Sequence, residues 1–201
     1  MYDGVLSVVN GSGIELVTFA DDVTVVVRDR DVSRAKEKMA CAIKRVSRWM
    51  AARGLELVAQ KTKLAMLTGK RRLAAFNLGV LGQTIETDSK VKVLGVWLDK
   101  NLSFIPHARE ISDKAMAVYG ALCKVFPNTG GARESRRRVM AAAVMSGILY
   151  AAEVWWPATK WGTAMASVNR VIRLLALRIC CGYRTVQLED ALVLGGYGPR
   201  R

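Results

Sequence analysis

The sequence is poor in the residues that bind zinc. It holds one histidine, His107, and four cysteines, Cys41, Cys123, Cys180 and Cys181, none in a CxxC spacing. A structural zinc site needs about four clustered Cys or His ligands, so the zinc-finger classes are excluded. No secretory leader pattern opens the chain. Reduced thiols in an intracellular compartment, nuclear or cytoplasmic, are therefore expected, and secretion is not. No apolar run is long enough to be read as a membrane span. Val139 to Ala152 carries no charge but is stopped by Glu153, well short of the roughly 20 residues a span requires. A buried helix is the expectation there, with no membrane partner. Repeats and low-complexity stretches are also lacking.

Acidic residues are scarce relative to basic ones. Lys plus Arg number 31 against 17 Asp plus Glu, a net charge of +14. Residues 1–100 carry 17 basic and 11 acidic side chains, and residues 101–201 carry 14 and 6. The positive field belongs to the whole chain, which favours a polyanionic partner. With 51% apolar and 24% charged residues over 201 positions, the chain has the makings of one sizeable core or two small ones.

Hydrophobic patterning divides the chain in two. Ile14 to Phe19 and Val23 to Val27 read as β-strands, dense in β-branched and apolar residues. Only Ala20, Asp21 and Asp22 lie between them, which predicts a tight hairpin. Asp31 is suited to cap a helix that ends before Gly54. Along it Val32, Ala35, Met39, Ala42, Ile43, Val46, Trp49 and Met50 recur at a spacing of three to four, the mark of an amphipathic helix on a sheet. Strand pieces are expected near Leu55–Val58, Leu64–Leu67, Ala75–Leu78, Gln83–Ile85 and Val91–Leu98, with a basic loop at Lys70-Arg71-Arg72. After Asp99 helices take over, at Pro106–Val125, Ser135–Glu153 and Thr163–Cys181, joined by Asn128-Thr129-Gly130-Gly131 and by Pro157–Gly162. The fold class is α+β, with 1–102 as an α+β part and 103–201 as an all-helical part.

Phe19-Ala20-Asp21-Asp22 is the feature with the clearest chemistry. Adjacent carboxylates at a bend repel one another, and no cation lies close in sequence; Arg28 is a whole strand away. A bound divalent cation removes that repulsion, and hard carboxylate oxygens suit magnesium. Two magnesium ions about 4 Å apart serve nucleotidyl transfer. A solvated Asp-Asp turn is the plain alternative.

The surroundings decide which reading is followed. The Phe-Ala-Asp-Asp hairpin is followed by the amphipathic helix ending in Trp49…Gly54-Leu55. Then come Gln60-Lys61-Thr62-Lys63 and Val91-Lys92-Val93-Leu94-Gly95-Val96-Trp97-Leu98-Asp99. In that order and spacing they resemble the reverse transcriptase of non-LTR (LINE-type) retrotransposons. Met1-Tyr2-Asp3-Gly4-Val5-Leu6, Ile148 to Trp155 and Gly182-Tyr183-Arg184-Thr185 extend the resemblance over almost the whole chain. It implies a partial polymerase palm, antiparallel strands with an amphipathic helix, followed by a helical thumb. Asp21 is then a ligand of both magnesium ions and Asp22 its weaker neighbour. Phe19 and Ala20 set the hairpin near the primer terminus, and Lys61 assists the leaving pyrophosphate. Leu94-Gly95 matches the hairpin that grips the primer. Partners would be an RNA template, a DNA primer and deoxynucleoside triphosphates.

The departures from that pattern matter. The family needs a further palm aspartate from an earlier strand and a nucleotide-selecting segment, both expected before residue 1. Asp3 is the sole acidic residue upstream of Glu15 and does not sit in such a context. A fragment inactive on its own is the expectation, and the alternative is a non-catalytic basic remnant that binds nucleic acid. An interaction domain with an incidental Asp-Asp turn is a third reading. In the helical half, Arg133, Arg136, Arg137 and Arg138 are suited to contact successive phosphates without reading sequence, or else form a solvated basic turn. Arg170, Arg173 and Arg178 recur on the next helix. Trp155, Trp156 and Trp161 would either stack on bases or fill the core, and Cys180-Cys181 reads as packing.

Overall fold

The computed structural model describes residues 3–6, 8–9, 13–69, 76–80, 82–125 and 131–196. A short helix α1 (Asp3–Leu6) precedes strands β1 (Ile14–Phe19) and β2 (Asp22–Val27). These pair antiparallel from Ile14↔Val27 to Phe19↔Asp22; the hairpin is the one the patterning predicts, but Asp22 opens the second strand instead of lying in the loop. Helix α2 (Val32–Ala51) follows. The Asp31 carboxylate caps it, accepting from the Ser33 and Arg34 amides at 3.4 and 3.3 Å, so two of the helix's orphan N–H groups are satisfied. A 3-10 turn (Ala59–Lys61) leads to β3 (Leu64–Ala65), β4 (Leu78–Val80), β5 (Gln83–Ile85) and β6 (Thr87–Asp88).

Next come β7 (Lys90–Val93) and β8 (Val96–Asp99), then helices α3 (Ile105–Val125), α4 (Glu134–Leu149) and α5 (Ala152–Trp155). A second 3-10 turn (Trp156–Lys160), α6 (Gly162–Cys180) and α7 (Leu188–Leu194) complete the order. The class is α+β. The strands are two-stranded ribbons, and one pair departs from the expected antiparallel arrangement: β3 and β6 run parallel over Leu64↔Thr87 and Ala65↔Asp88. The connection from β3 through the β4–β5 hairpin carries the chain back in the same direction, which a parallel pair requires.

Packing defines two compact units, one of 1–66 with 70–89 and one of 67–69 with 90–201. Strand gives way to helix between Asp99 and Ile105, whereas the packing division falls earlier, because the β7–β8 hairpin packs on α3. In the first unit α2 buries Ala42, Val46, Trp49 and Met50 against Ile14, Leu16, Val23 and Val25 of the hairpin and against Leu55 and Leu57. A fully buried aliphatic or aromatic side chain is worth about 1.5–3 kcal/mol, so this stripe is what fixes the hairpin on the helix. A second small cluster joins Leu64, Leu78 and Val80 to Met39, Ala40 and Ile43 of α2. Leu55–Val58, expected as a strand, forms no strand.

In the second unit α3, α4 and α6 surround Ile111, Ala115, Ala141, Val144, Ile148, Val168, Val171 and Leu175, with Val96 of β8 against them. The sequence suggests one helix through Glu153. Instead α4 stops at Leu149, and Ala151 turns with φ 51° before α5. Among the described residues no single helix is long and apolar enough to cross a membrane; only α4 together with Ala152–Lys160 passes by length and composition, bent by 56°. Lys70-Arg71-Arg72, Ala75 and Asn128-Thr129-Gly130 lie outside the described residues.

Candidate metal-binding hairpin and nucleic-acid surfaces

The hairpin's two faces differ. Ile14, Leu16 and Thr18 are half-buried on the α2 side, whereas Glu15, Val17 and Phe19 alternate with them and are exposed. The alternation carries through to the tip, where Phe19 is 65% exposed and Ala20, Asp21 and Asp22 are all exposed. Ala20 and Asp21 form a two-residue loop, with Ala20 at φ 50°. Positive φ at the first loop position matches the handedness of the strands, at a steric cost to a residue with a Cβ.

Neither Asp21 nor Asp22 has an ion-pair partner among the described residues. The nearest arginine along the ribbon, Arg28, is paired with Glu15 at 2.8 Å at the open end. The corner therefore presents unshared carboxylate oxygens to solvent. Magnesium is bound through one or two carboxylates with water and substrate phosphates completing its octahedron, and this donor pair fits one such ion. It does not fit two. Among the described residues no three His, Cys, Asp or Glu side chains cluster.

Lys61 ends the 3-10 turn rather than a strand and is exposed. Leu94 and Gly95 form the two-residue loop of the β7–β8 hairpin, with φ of 46° and 86°, both positive as a type I′ turn requires. A glycine within a strand suits either a close approach of another group or a bulge. The structure places the Tyr150 ring against it: a Cβ on Gly95 would lie 2.9 Å from the Tyr150 Cε1 atom. The Tyr150 hydroxyl donates to the Leu94 carbonyl at 3.0 Å. Tyr150 was not singled out by the sequence, because nothing local to it signals a contact 56 positions away.

Behind the hairpin His107 is 1% exposed. Its Nδ1 accepts from the Trp97 amide at 3.4 Å, and its ring lies 6.1 Å from that of Trp155. Burial holds the imidazole below its ordinary range, aided by Lys114 and Lys92 and opposed by Glu110. The Asp99 carboxylate closes the turn into α3, accepting from the Phe104 amide at 2.8 Å and the Ser103 hydroxyl at 3.0 Å. Burial alone would raise its pKa; these hydrogen bonds keep it below the usual carboxylate range.

The arginine cluster separates into two kinds. Arg133 caps α4 without a side-chain bond, and Arg136 beside it is exposed. Arg138 is held by Glu134 at 2.8 Å and by the Gly195 carbonyl at 3.3 Å, and Arg137 contacts the Cys181 thiol. On α6, Arg170 is exposed, Arg173 donates to the Val186 carbonyl at 2.9 Å and Arg178 to the Cys123 carbonyl at 3.3 Å. Trp155 is buried and donates to the Tyr150 carbonyl, while Trp156 and Trp161 are 67% and 51% exposed. Cys180 is half-buried, but Cys181 is exposed rather than packed.

Known proteins resemble this chain along nearly its entire length. It is 26% identical over 206 residues, 98% of the chain, to a protein of Nasonia vitripennis described as a retrovirus-related Pol polyprotein from type-1 retrotransposable element R1, covering 60% of that protein. It is 28% identical over 92% of its length to a putative 115 kDa protein in type-1 retrotransposable element R1DM of Drosophila melanogaster, covering 18% of it. A Pol polyprotein from R1 of Bradysia coprophila is 27% identical over 94% of the chain, which covers 19% of it. The chain thus spans between about a fifth and three fifths of these relatives' lengths. No family model matches, and no solved structure matches. The resemblance carried by the motifs is borne out as a likeness: along nearly its whole length the chain is similar to proteins of type-1 retrotransposable elements R1, Pol polyproteins among them.

Proposed function

We propose that the chain is the later part of the palm and the thumb of an RNA-directed DNA polymerase, contributing part of the metal site and part of the duplex grip. The observation that carries the reading is the β1–β2 corner, where Asp21 and Asp22 are exposed without an ion-pair partner. Magnesium bound there supplies activation of the primer 3′-hydroxyl and charge stabilisation for the departing pyrophosphate. Asp21 holds the metal and Asp22 assists. Phe19 and Ala20 set the corner beside the primer end, Lys61 neutralises the leaving group, and Leu94-Gly95 lies along the primer. Arg133 and Arg136 contact phosphates without reading sequence, with Arg137 and Arg138 behind them positioning the helix.

Two carboxylates do not hold two ions, so the isolated chain is inactive, and activity needs a further aspartate from another part of the polymerase. The RNA template, DNA primer and deoxynucleoside triphosphates are the partners, and the setting is the nucleus or cytoplasm. A second reading, a basic remnant that binds nucleic acid without catalysis, is supported by the same net charge of +14.

The two readings part in one experiment. The chain is placed in the corresponding position of a complete R1 Pol polyprotein, and primer extension is measured with and without Asp21→Asn. Loss of extension with retained hybrid binding supports the polymerase reading. Extension that survives Asp21→Asn removes the metal assignment, and a chimera that binds the hybrid but never extends leaves the remnant reading in place.

A further inference from the structure

On the first unit, away from the hairpin, an open groove of about 260 Å³ runs between α2 and β4. Its α2 wall is Ala40, Ile43, Lys44, Ser47, Arg48 and Ala51, and Gly79 and Val80 of β4 form the other side. With 3.6 residues per turn, positions 40, 44, 47 and 51 fall on one stripe of α2, well round from the Ala42, Val46, Trp49 and Met50 stripe that holds the hairpin. The groove is therefore independent of the metal-binding corner.

Three properties define its occupant. First, Lys44 and Arg48 stand one helical turn apart on the same face, and neither has a carboxylate partner among the described residues. Glu37 is the sole acidic residue on α2, whose last three turns carry Lys44, Arg45 and Arg48. An anionic chain with repeated charges matches that rim. Second, the floor is apolar and small. A Cβ added at Gly79 would meet nothing within 4 Å, so the space is open for a flat or thin group such as a sugar. Third, Ser47 lines the groove, and no hydrogen bond is formed by its hydroxyl among the described residues. A hydroxyl on the same wall as two cations is suited to a ribose 2′-hydroxyl, the group that separates RNA from DNA.

We propose that this groove binds a segment of single-stranded RNA, with successive phosphates on Lys44 and Arg48, sugars over Ala40, Ala51 and Gly79, and a 2′-hydroxyl on Ser47. It is a further nucleic-acid surface, distinct from the hairpin corner, and it holds a strand without any catalytic role.

The test is a titration of the whole chain with a 5′-labelled oligouridylate at several salt concentrations. Each phosphate contact on a single strand contributes about 0.7 to the slope of log K against log salt. Lys44→Gln with Arg48→Gln is expected to lower affinity about tenfold at low salt and to flatten the slope by about 1.4. Gly79→Leu fills the groove and leaves both cations in place, and it is expected to lower affinity as well. Ala51→Met fills it from the opposite wall and serves if Gly79→Leu disturbs folding, which thermal melting reads. Ser47→Ala is expected to bring the affinities for oligouridylate and oligodeoxythymidylate together. Unchanged RNA binding in the double variant overturns the proposal. A loss in the double variant that neither filling variant reproduces assigns the effect to diffuse charge and overturns it too. So does an oligoglutamate peptide that binds with groove-dependent affinity while the RNA does not.

Discussion

Gly95 and Tyr150 show how a single position links a turn to a distant helix. The loop needs positive φ at Gly95, and the Tyr150 ring occupies the space where a Cβ would stand. Gly95→Ala is therefore expected to cost about 1–3 kcal/mol, the left-handed penalty plus displacement of the ring. Urea unfolding measures it. Combined with Tyr150→Ala, the loss should be smaller than the sum of the two, because the collision disappears with the ring; strict additivity would mean that the ring does not constrain the turn.

His107 gives a pH dependence with a fixed sign. Its pKa is lowered in the folded chain by burial, so the unfolded chain binds more protons between the folded value and the ordinary value near 6.5. Stability from this group is fully present above the ordinary pKa and is lost as pH falls through the lowered one. Protonation would also set an N–H against the Trp97 amide that now donates to Nδ1. Thermal melts between pH 7.5 and 5 should show a decline that His107→Gln reduces, since its carbonyl accepts without titrating. An identical decline in both proteins would place the titration elsewhere.

At the scale of elements, the local features were legible and the long-range ones were not. The β1–β2 hairpin, the Asp31 cap and the stripe of α2 follow from spacing within a few residues, and the structure has all three. By pattern alone Val91–Leu98 reads as one strand, because Leu94-Gly95 lacks the Asn-Gly or Asp-Gly signature of a primed turn, and the hairpin there is expected only from the family resemblance; the turn is completed by the Tyr150 hydroxyl on the Leu94 carbonyl. The break after Leu149 has no Pro or Gly to announce it. There the Tyr150 carbonyl accepts from the Trp155 indole and the Tyr150 side chain reaches the β7–β8 loop, so tertiary contacts end the helix.

The same scale separates the α4 arginines, which sequence alone treats as equivalent. Arg133 and Arg136 are free to meet phosphates, whereas Arg138 ties Glu134 to the Gly195 carbonyl. Arg133→Ala with Arg136→Ala should flatten the salt slope of RNA–DNA hybrid binding by about 1–2 and leave melting unchanged. Arg138→Ala should do the reverse, lowering stability by about 0.5–1 kcal/mol, as expected for an exposed pair plus one hydrogen bond. Equal slopes in the two variants would return the cluster to the solvated-turn reading.

For the whole molecule, charge and the proposed metal corner carry the functional account. The excess of 14 positive charges is spread over both halves of the sequence, so nucleic-acid binding should weaken as salt screens it, whichever surface is occupied. What sets a polymerase part apart from any basic domain is the pair of carboxylates at the β1–β2 bend, and that pair was readable because a tight reversal leaves its tip no room to hide. The most direct measurement is paramagnetic broadening of backbone amide signals by manganese, a stand-in for magnesium. Titrated into the chain at millimolar concentrations, manganese should broaden Ala20, Asp21, Asp22 and Val23 before other residues, and Asp21→Asn should remove that selectivity. Broadening spread evenly over the acidic residues, or centred elsewhere and unaffected by Asp21→Asn, would contradict a metal-binding corner.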